Sequence, residues 1–189
     1  AVVGGRTQEY EGYTLNRAYQ SFRQPGSAIK PLLVYTPILE RGYTPDTVVV
    51  DEPIPDGPAN ADGSYAGAMT MREAVNASKN TIAWKLLDQI TPIAGLQYLK
   101  AMDFSQLSPE DERLPIALGG FTIGTSPLEM AAGYAALQND GCYREPTCII
   151  KIEDTQGNLI YTSEPEETGE EEGTRIYKSN AARMMTDML

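Results

Sequence analysis

Apolar residues recur at helical spacing along most of the chain, so the pattern predicts a helix-rich fold. An apolar run over 32–35 indicates a buried helix that starts near Ser27. We expect Pro37 to kink or end this helix, because proline lacks a backbone N–H, and Gly42 to close it. The other segments with helical spacing are 71–77, 81–90, 92–102, 128–139 and 179–189.

Four of the helix starts carry recognisable capping residues, one of them Thr91, which is followed by Pro92 at the first helical position. In a capping box, a Ser or Thr accepts from a backbone N–H three residues later, and a Glu at that later position bonds back. Thr70 with Glu73 and Ser126 with Glu129 fit this pattern, and Ser179 is expected to cap the last helix. These signals predict where four of the helices begin.

Strand-like segments are few and lie towards the two ends of the sequence. Runs of β-favouring residues predict strands over 1–6, 47–50, 146–154 and 159–163, with Gly4-Gly5 permitting close backbone approach in the first. Polar and turn-forming residues predict loops over 7–22, 43–67 and 103–115, followed by a glycine-rich crossing over 118–124. The expected architecture is mostly helical with a small strand component.

Composition narrows the class of protein. A chain of 189 residues with 41% hydrophobic residues is one globular domain or a large part of one. A net charge of −11 without a basic stripe argues against a nucleic acid partner. No apolar stretch has the length of a membrane span, and because the first residue is not Met we expect the chain to be part of a longer protein.

Histidine is absent, which excludes Ser-His-Asp and Cys-His catalysis within the chain. The two cysteines, Cys142 and Cys148, lie in a segment over 141–152 that reads as extended and would separate them by roughly 20 Å. A disulfide tolerates at most about 7 Å between Cα atoms, so we expect both to remain thiols. Without histidine or a cysteine cluster, we predict no metal site and no cofactor.

The first candidate for chemistry is the S-x-x-K pattern of Ser27 and Lys30. On a helix these positions share one face with Cβ atoms roughly 5–6 Å apart, so Lys30 Nζ can reach Ser27 Oγ. Burial lowers the pKa of a lysine, and a helix N-terminus favours negative charge beside Ser27. These are the parts of an activated serine nucleophile. The alternative, from these two residues alone, is an ordinary exposed pair on a helix flank.

The second candidate is Ser78-Lys79-Asn80, where two helical patterns meet. The Ser78 hydroxyl and the Asn80 carboxamide can face the same side of a tight turn. There they could relay a proton and hold a peptide amide of a substrate. The alternative interpretation is a helix stop and restart with Ser78 or Asn80 as N-cap.

Ser27-x-x-Lys30 followed by Ser78-x-Asn80 resembles the first two active-site motifs of penicillin-binding proteins and serine β-lactamases. The likeness extends to the transpeptidase domain of bifunctional class A penicillin-binding proteins, and it is carried by 16–18, 23–31, 71–83 and 124–141. Gly4-Gly5 is similar to the end of that family's second strand, and 146–154 is similar to a later strand. The resemblance covers nearly the whole chain. It implies an α+β fold in which a helical subdomain packs on an antiparallel sheet.

The resemblance also implies a reaction and a role for each matched residue. The reaction is acyl transfer on peptidoglycan stem peptides ending in D-Ala-D-Ala, and penicillin-type β-lactams acylate the same serine. Ser27 is expected to be the acylated nucleophile, with its backbone N–H in the oxyanion hole, and Lys30 to be the base. Ser78 is expected to pass a proton toward the leaving amine, and Asn80 to hold the amide side of the substrate.

One motif of the family is missing. The chain has no Lys-Thr/Ser-Gly, and the nearest triplet is Lys178-Ser179-Asn180. The resemblance therefore implies a partial transpeptidase domain over 1–189 that lacks the first strand, the Lys-Thr-Gly strand and the C-terminal helix, and that is inactive by itself. It further implies a downstream partner segment with the third motif, a membrane anchor outside the chain, and a location on the extracytoplasmic face of the bacterial cell membrane.

Three alternatives stay open from the sequence. A serine β-lactamase would need a deacylating base, and no Glu of the chain stands in the context that the class A enzymes use. A β-lactam-sensing or peptidoglycan-binding domain of the same fold could carry the same motifs without turnover. A purely structural or interaction module would make Ser27 and Lys30 incidental, and covalent labelling by a β-lactam would distinguish it.

Overall fold

A computed structural model describes residues 12, 15–163 and 173–189. At its centre lies the segment over 26–39, called the central helix below. The central helix begins as a 3-10 turn over Gly26–Ile29, continues as a π-helix over Pro31–Tyr35 and ends as an α-helix, α1, over Thr36–Leu39. Every residue from 29 to 39 is buried, so the predicted buried helix is confirmed.

Pro37 does not end the central helix, so that part of the sequence prediction is wrong. In the π-helix, the Thr36 N–H donates to the Pro31 carbonyl. The Leu32 carbonyl would then face residue 37, and proline has no N–H to donate. The buried Tyr177 hydroxyl donates to the Leu32 carbonyl instead, at 2.7 Å. The wider π turn and this donor from a distant segment explain why proline is accommodated inside the helix.

Around the central helix, the described residues form further α-helices close to the predicted bounds. They are α2 (Met71–Asn76), α3 (Asn80–Ile90), α4 (Pro92–Ala101), α5 (Pro127–Gln138) and α6 (Ser179–Met188). Two 3-10 helices, Pro109–Asp111 and Leu114–Leu118, also occur, partly within the stretch that was predicted to be a loop.

The predicted capping boxes at Thr70 and Ser126 are both present. The predicted cap at Ser179 is wrong. Ser179 is the first residue of α6, and the N-cap position before it is Lys178, whose side chain forms no cap. The Ser179 hydroxyl instead accepts a hydrogen bond from Arg175 Nη1 at 2.9 Å.

Two glycines let α4 and α5 pack closely on the central helix. A Cβ at Gly95 of α4 would lie 3.0 Å from Leu33 Cδ1, and one at Gly133 of α5 would lie 2.6 Å from Leu32 Cδ1. Helix α6 packs against both α1 and α5. The central helix is therefore enclosed by apolar contacts, and only its first turn reaches the surface.

Within the described residues the strands form three two-stranded antiparallel sheets. They pair β1 (Val48–Asp51) with β2 (Gly67–Thr70), β3 (Cys142–Tyr143) with β6 (Thr174–Arg175), and β4 (Lys151–Glu153) with β5 (Leu159–Thr162). The sequence did not predict β2 or β6, because each is short and is defined by its pairing with a distant strand. The strand predicted over 146–154 is confined to β4, and the strand predicted over 1–6 lies outside the described residues.

Helices and antiparallel strand pairs together confirm the α+β class. Of the segment predicted to be extended over 141–152, only β3 and the start of β4 form paired strands, and the chain bends at Cys148 between them. Both cysteines lie within the described residues and neither forms a disulfide, as expected. Among the described helices, none is both long and apolar enough to cross a membrane.

Candidate active site

Ser27 lies in the first turn of the central helix and is exposed to solvent. The turn starts at Gly26, whose φ of +57° is a conformation that glycine adopts without strain. Gly119 approaches it so closely that a Cβ there would lie 2.3 Å from Gly26 N. This contact places the loop over 118–125, called the facing loop, directly against the turn that carries Ser27.

The facing loop is also bonded to the residues that precede the central helix. The Gln24 carboxamide forms two hydrogen bonds with Phe121: Nε2 donates to the carbonyl at 2.5 Å, and Oε1 accepts from the N–H at 2.8 Å. Arg23 and Thr125 form an isolated antiparallel bridge. These bonds hold the start of the central helix in register with the facing loop.

Lys30 is only 2% exposed, and its amine contacts the turn between α2 and α3. Nζ donates to the Ser78 carbonyl at 2.7 Å, to Ser78 Oγ at 3.2 Å and to Asn80 Oδ1 at 2.8 Å. The structure therefore brings together three of the four residues that were predicted to form the site. The fourth, Ser27, lies one helical turn before Lys30.

The expected hydrogen bond between Lys30 and Ser27 is not formed. An ammonium has three donors, and the three acceptors of the turn between α2 and α3 already use them. The Ser27 hydroxyl has no hydrogen-bond partner within the part of the chain that the structure describes. It is therefore accessible to a substrate.

Burial lowers the pKa of Lys30 from 10.5 to about 8. The cause is the hydration that the charged form loses inside the protein. With this pKa, about half of the Lys30 side chains are neutral near pH 8, whereas an ordinary lysine would be neutral in less than about 1% of molecules. Burial thus lowers the pKa of Lys30 in the expected direction, and a neutral Lys30 can accept a proton.

Ser78 has a left-handed backbone conformation, with φ of +50°, between α2 and α3. Its N–H donates to the Val75 carbonyl at 2.9 Å, which closes α2, while its carbonyl accepts from Lys30. A non-glycine residue in this conformation costs on the order of 1 kcal/mol or more. The surrounding structure must therefore hold the turn in place.

Four buried polar residues lie beneath this turn, and we call them the support cluster: Asp51, Asn60, Lys79 and Thr81. Lys79 Nζ lies 3.3 Å from Asp51 Oδ2, with side chains 6% and 0% exposed, and 3.1 Å from Asp62 Oδ2 on the surface. Asp51 Oδ1 accepts from Asn60 Nδ2 at 2.7 Å and from Thr81 Oγ1 at 2.5 Å.

The two ionised members of the support cluster remain charged. Burial acts to lower the pKa of Lys79, but its hydrogen bonds and charge interactions with Asp62 and Asp51 outweigh burial and raise it. Burial acts to raise the pKa of Asp51, but hydrogen bonds, above all the one from Thr81, lower it to about 2. The two buried lysines thus differ, because the pKa of Lys79 is raised by its acidic partners whereas the pKa of Lys30 is lowered by burial.

Sequence reasoning missed the support cluster. Asp51 and Asn60 lie in the segment over 43–67 that was predicted to be a surface excursion, and Lys79 was only the variable position of the S-x-N pattern. The antiparallel pairing of β1 with β2 brings the Asp51 carboxylate beneath α3. Among the residues that the structure describes, no group of three or more His, Cys, Asp and Glu is placed to hold a metal ion.

Comparison with known proteins identifies a family that the chain matches over its whole length. The profile described as the penicillin binding protein transpeptidase domain matches residues 1–189 of the chain. Penicillin-binding protein 4 of Bacillus subtilis is 38% identical over 165 residues, which make up 85% of this chain and 26% of that protein. The chain thus spans about a quarter of the length of this relative.

Solved structures show the same backbone arrangement. Penicillin-binding protein 1A from Haemophilus influenzae superposes with a TM-score of 0.75 at 29% identity, over 92% of this chain and 30% of that one. The PonA1 protein from Mycobacterium tuberculosis, in complex with penicillin V, superposes with a TM-score of 0.78 over 93% of this chain and 48% of that one. At 23% identity, this second likeness concerns the fold alone.

Proposed function

Since the chain belongs to the penicillin-binding protein transpeptidase domain family, we propose that it carries the nucleophile part of a D,D-transpeptidase active site. The observation that supports this best is the convergence of Lys30, Ser78 and Asn80 within hydrogen-bond distance, one turn after Ser27. The proposed substrate is a peptidoglycan stem peptide that ends in D-Ala-D-Ala.

In the proposed acylation step, Ser27 Oγ attacks the carbonyl carbon of the penultimate D-Ala while neutral Lys30 takes the hydroxyl proton. The lowered pKa of Lys30 supports this role, because a base must be unprotonated before it acts. A neutral amine donates two hydrogen bonds rather than three. The contact expected to be released is the longest one, from Nζ to Ser78 Oγ at 3.2 Å, and the freed lone pair can then turn toward Ser27.

Negative charge then develops on the substrate carbonyl oxygen, and the Ser27 N–H, in the first turn of a helix, is a donor for it. When the C–N bond breaks, the departing D-Ala amine receives the proton from Lys30 through Ser78 Oγ. An ester on Ser27 remains. The amine of a neighbouring stem attacks this ester, gives one proton to Lys30 and forms the new amide, and that proton restores the Ser27 hydroxyl.

Asn80 is proposed to orient both the base and the substrate. Its Oδ1 accepts from Lys30 at 2.8 Å, and its Nδ2 donates one hydrogen to the Ala59 carbonyl at 3.0 Å. A carboxamide nitrogen carries two hydrogens, so one remains for the amide side of a stem peptide. The same geometry would hold the amide side chain of a penicillin-type β-lactam, which would acylate Ser27.

The triplet Lys178-Ser179-Asn180 is not proposed to act as the third motif. The Lys178 N–H donates to Glu40, and the Ser179 hydroxyl accepts from Arg175, so both belong to the packing of α6. We propose that a downstream segment supplies Lys-Thr/Ser-Gly and completes the domain, and that the chain by itself is inactive. The substrate then places the complete protein at the extracytoplasmic face of the bacterial cell membrane.

The test is intact-mass spectrometry after addition of a fluorescent penicillin, on this chain alone and with its downstream sequence restored. We expect one adduct on the restored form, mapping to Ser27, and none on the chain alone. Ser27→Ala should remove the adduct. Ser105→Ala, which changes another exposed serine, should keep it.

Two outcomes would redirect the proposal. If the restored and folded protein takes no adduct, Ser27 and Lys30 are not an acylation pair. If it is acylated but transfers no acyl group from a D-Ala-D-Ala peptide to an added amine, the protein is a β-lactam-sensing or peptidoglycan-binding domain rather than a transpeptidase.

A further inference from the structure

The support cluster is hydrogen-bonded to the backbone of Asn80 and Thr81, which follow the turn at Ser78. One of its members, Lys79, belongs to that turn itself. Lys79, the residue after Ser78, points its ammonium into the protein, where it meets Asp51 and Asp62. Asp51 receives the Ala66 N–H at 2.9 Å as well as the Asn60 and Thr81 side chains. Every oxygen of this buried carboxylate therefore has a donor, and Lys79 is held by a partner that cannot move freely.

Asn60 holds the other part of the turn. Its Oδ1 accepts from the backbone N–H of Asn80 at 2.8 Å and from that of Thr81 at 3.3 Å. These are the first N–H groups of α3, which have no partner within the helix, so Asn60 caps α3 from a distant segment. Its Nδ2 donates to Asp51 and to the Ser64 carbonyl, which orients the carboxamide for this task.

Ser78 and Asn80 supply all the hydrogen-bond acceptors of Lys30, yet Ser78 has a left-handed backbone that a serine does not favour. The support cluster holds the residues that follow Ser78: Lys79 pairs with Asp51, and the Asn80 N–H donates to Asn60. We propose that Asp51, Asn60 and Lys79 are positioning residues that hold Ser78 and Asn80 in the conformation that fixes the Lys30 amine, one helical turn after Ser27. This inference rests on the proposed function, since it gives these residues a role in acylation.

A purely structural role would not require a buried ion pair between Lys79 and Asp51. A buried ion pair is weak support for stability, because the desolvation of both charges offsets their attraction. A second ion pair lies nearby, from Lys85 Nζ of α3 to Oε1 of Glu52, the residue after Asp51, at 2.7 Å and at a more exposed position. Lys85 thus offers a control for Lys79: it is the same residue type, it lies in the helix that Lys79 precedes, and it pairs with the acid next to Asp51, but it does not contact Ser78 or Asn80.

The experiment measures acylation by a fluorescent penicillin on the protein with its downstream sequence restored. Rates over a range of penicillin concentrations separate the rate constant of acylation from the dissociation constant of the non-covalent complex. The variants are Lys79→Met, Lys79→Arg, the double variant Asp51→Asn with Lys79→Met, and the control Lys85→Met. Thermal unfolding of each variant sets a temperature at which all are folded.

We expect Lys79→Met to lower the acylation rate constant by about 10- to 100-fold, the size of effect that a displacement of reacting groups by about 1 Å produces. The dissociation constant should change little. Lys79→Arg keeps the cation and should restore most of the rate, and Lys85→Met should acylate as the unchanged protein does. Lys79→Met alone leaves the buried Asp51 carboxylate without its cation, whereas the double variant removes both charges. The double variant therefore controls for destabilisation by an unpaired charge, and its acylation rate constant should remain low.

Two results would overturn the positioning role. The first is a folded Lys79→Met or double variant that acylates at the unchanged rate. The second is a loss of rate that matches the unfolded fraction in every variant, including Lys85→Met. Failure of the unchanged protein to be acylated would instead refute the proposed function, so the two failures are distinguishable.

Discussion

Replacing Gly119 with alanine tests whether the facing loop holds the nucleophile in place. Gly119 has φ of +82°, and an added Cβ would lie 2.3 Å from Gly26 N and 2.5 Å from Gly26 O. Ordinary van der Waals contact begins near 3.4 Å. The facing loop and the first turn of the central helix must therefore separate by about 1 Å, because the atoms in conflict are backbone atoms and cannot rotate away.

Two effects follow from this substitution. The left-handed backbone costs alanine about 1–2 kcal/mol, which lowers the free energy of unfolding. The separation also moves Ser27 relative to Lys30, and a displacement of about 1 Å can reduce a rate by about 100-fold. We therefore expect Gly119→Ala, at a temperature where it is folded, to acylate with fluorescent penicillin about 100-fold more slowly.

Gly157→Ala is the matched control. Gly157 has φ of +85° and no atom within 4 Å of an added Cβ, so it carries the backbone cost without the steric conflict. Urea unfolding measures the stability of both variants, and acylation is timed on the protein with its downstream sequence restored. Equal acylation rates for folded Gly119→Ala and Gly157→Ala would refute the reasoning, because the close approach to Gly26 would then have no consequence for Ser27.

Three further predictions concern ionisation and the core. Acylation should rise with pH up to about 8, the pKa of Lys30, because only the neutral amine accepts a proton; a rate independent of pH between 6 and 9 would exclude Lys30 as the base. Tyr177→Phe leaves the buried Leu32 carbonyl without its donor and should lower the free energy of unfolding by about 1–3 kcal/mol in urea denaturation, whereas Tyr161→Phe on the surface should change it little. The pKa of Asp51 is lowered from 3.8 to about 2 on folding, so its ionisation adds stability above pH 4 that is lost as the pH falls toward 2. The melting temperature should therefore fall over that range, and Asp51→Asn should flatten its pH dependence.

Periodicity and caps predicted the helices well, since these signals are local. The spacing of apolar residues located α3 and α5, and the capping boxes at Thr70 and Ser126 marked helix starts that the structure confirms. Local signals failed where a distant segment decides the outcome. Pro37 remains inside the central helix because Tyr177, far along the chain, donates to the carbonyl that proline leaves without a partner.

The same division applies to the candidate site. The sequence by itself determined which residue types are available: histidine is absent, and the resemblance of Ser27-x-x-Lys30 and Ser78-x-Asn80 to known active-site motifs led to the prediction of a lysine-activated serine. Only the tertiary structure decided where the Lys30 amine points, because its three acceptors belong to a turn from another part of the chain.

The support cluster depends on the tertiary structure entirely. Asp51 and Asn60 occur in a polar, turn-rich segment, and no local pattern distinguishes them from the exposed residues around them. The pairing of β1 with β2 and the docking of α3 enclose the Asp51 carboxylate and bring the Lys79 ammonium to it. Burial of a charge and its pairing arise only when separate segments meet, so they cannot be read from the order of residues, whereas helix periodicity and capping act within a few residues and can.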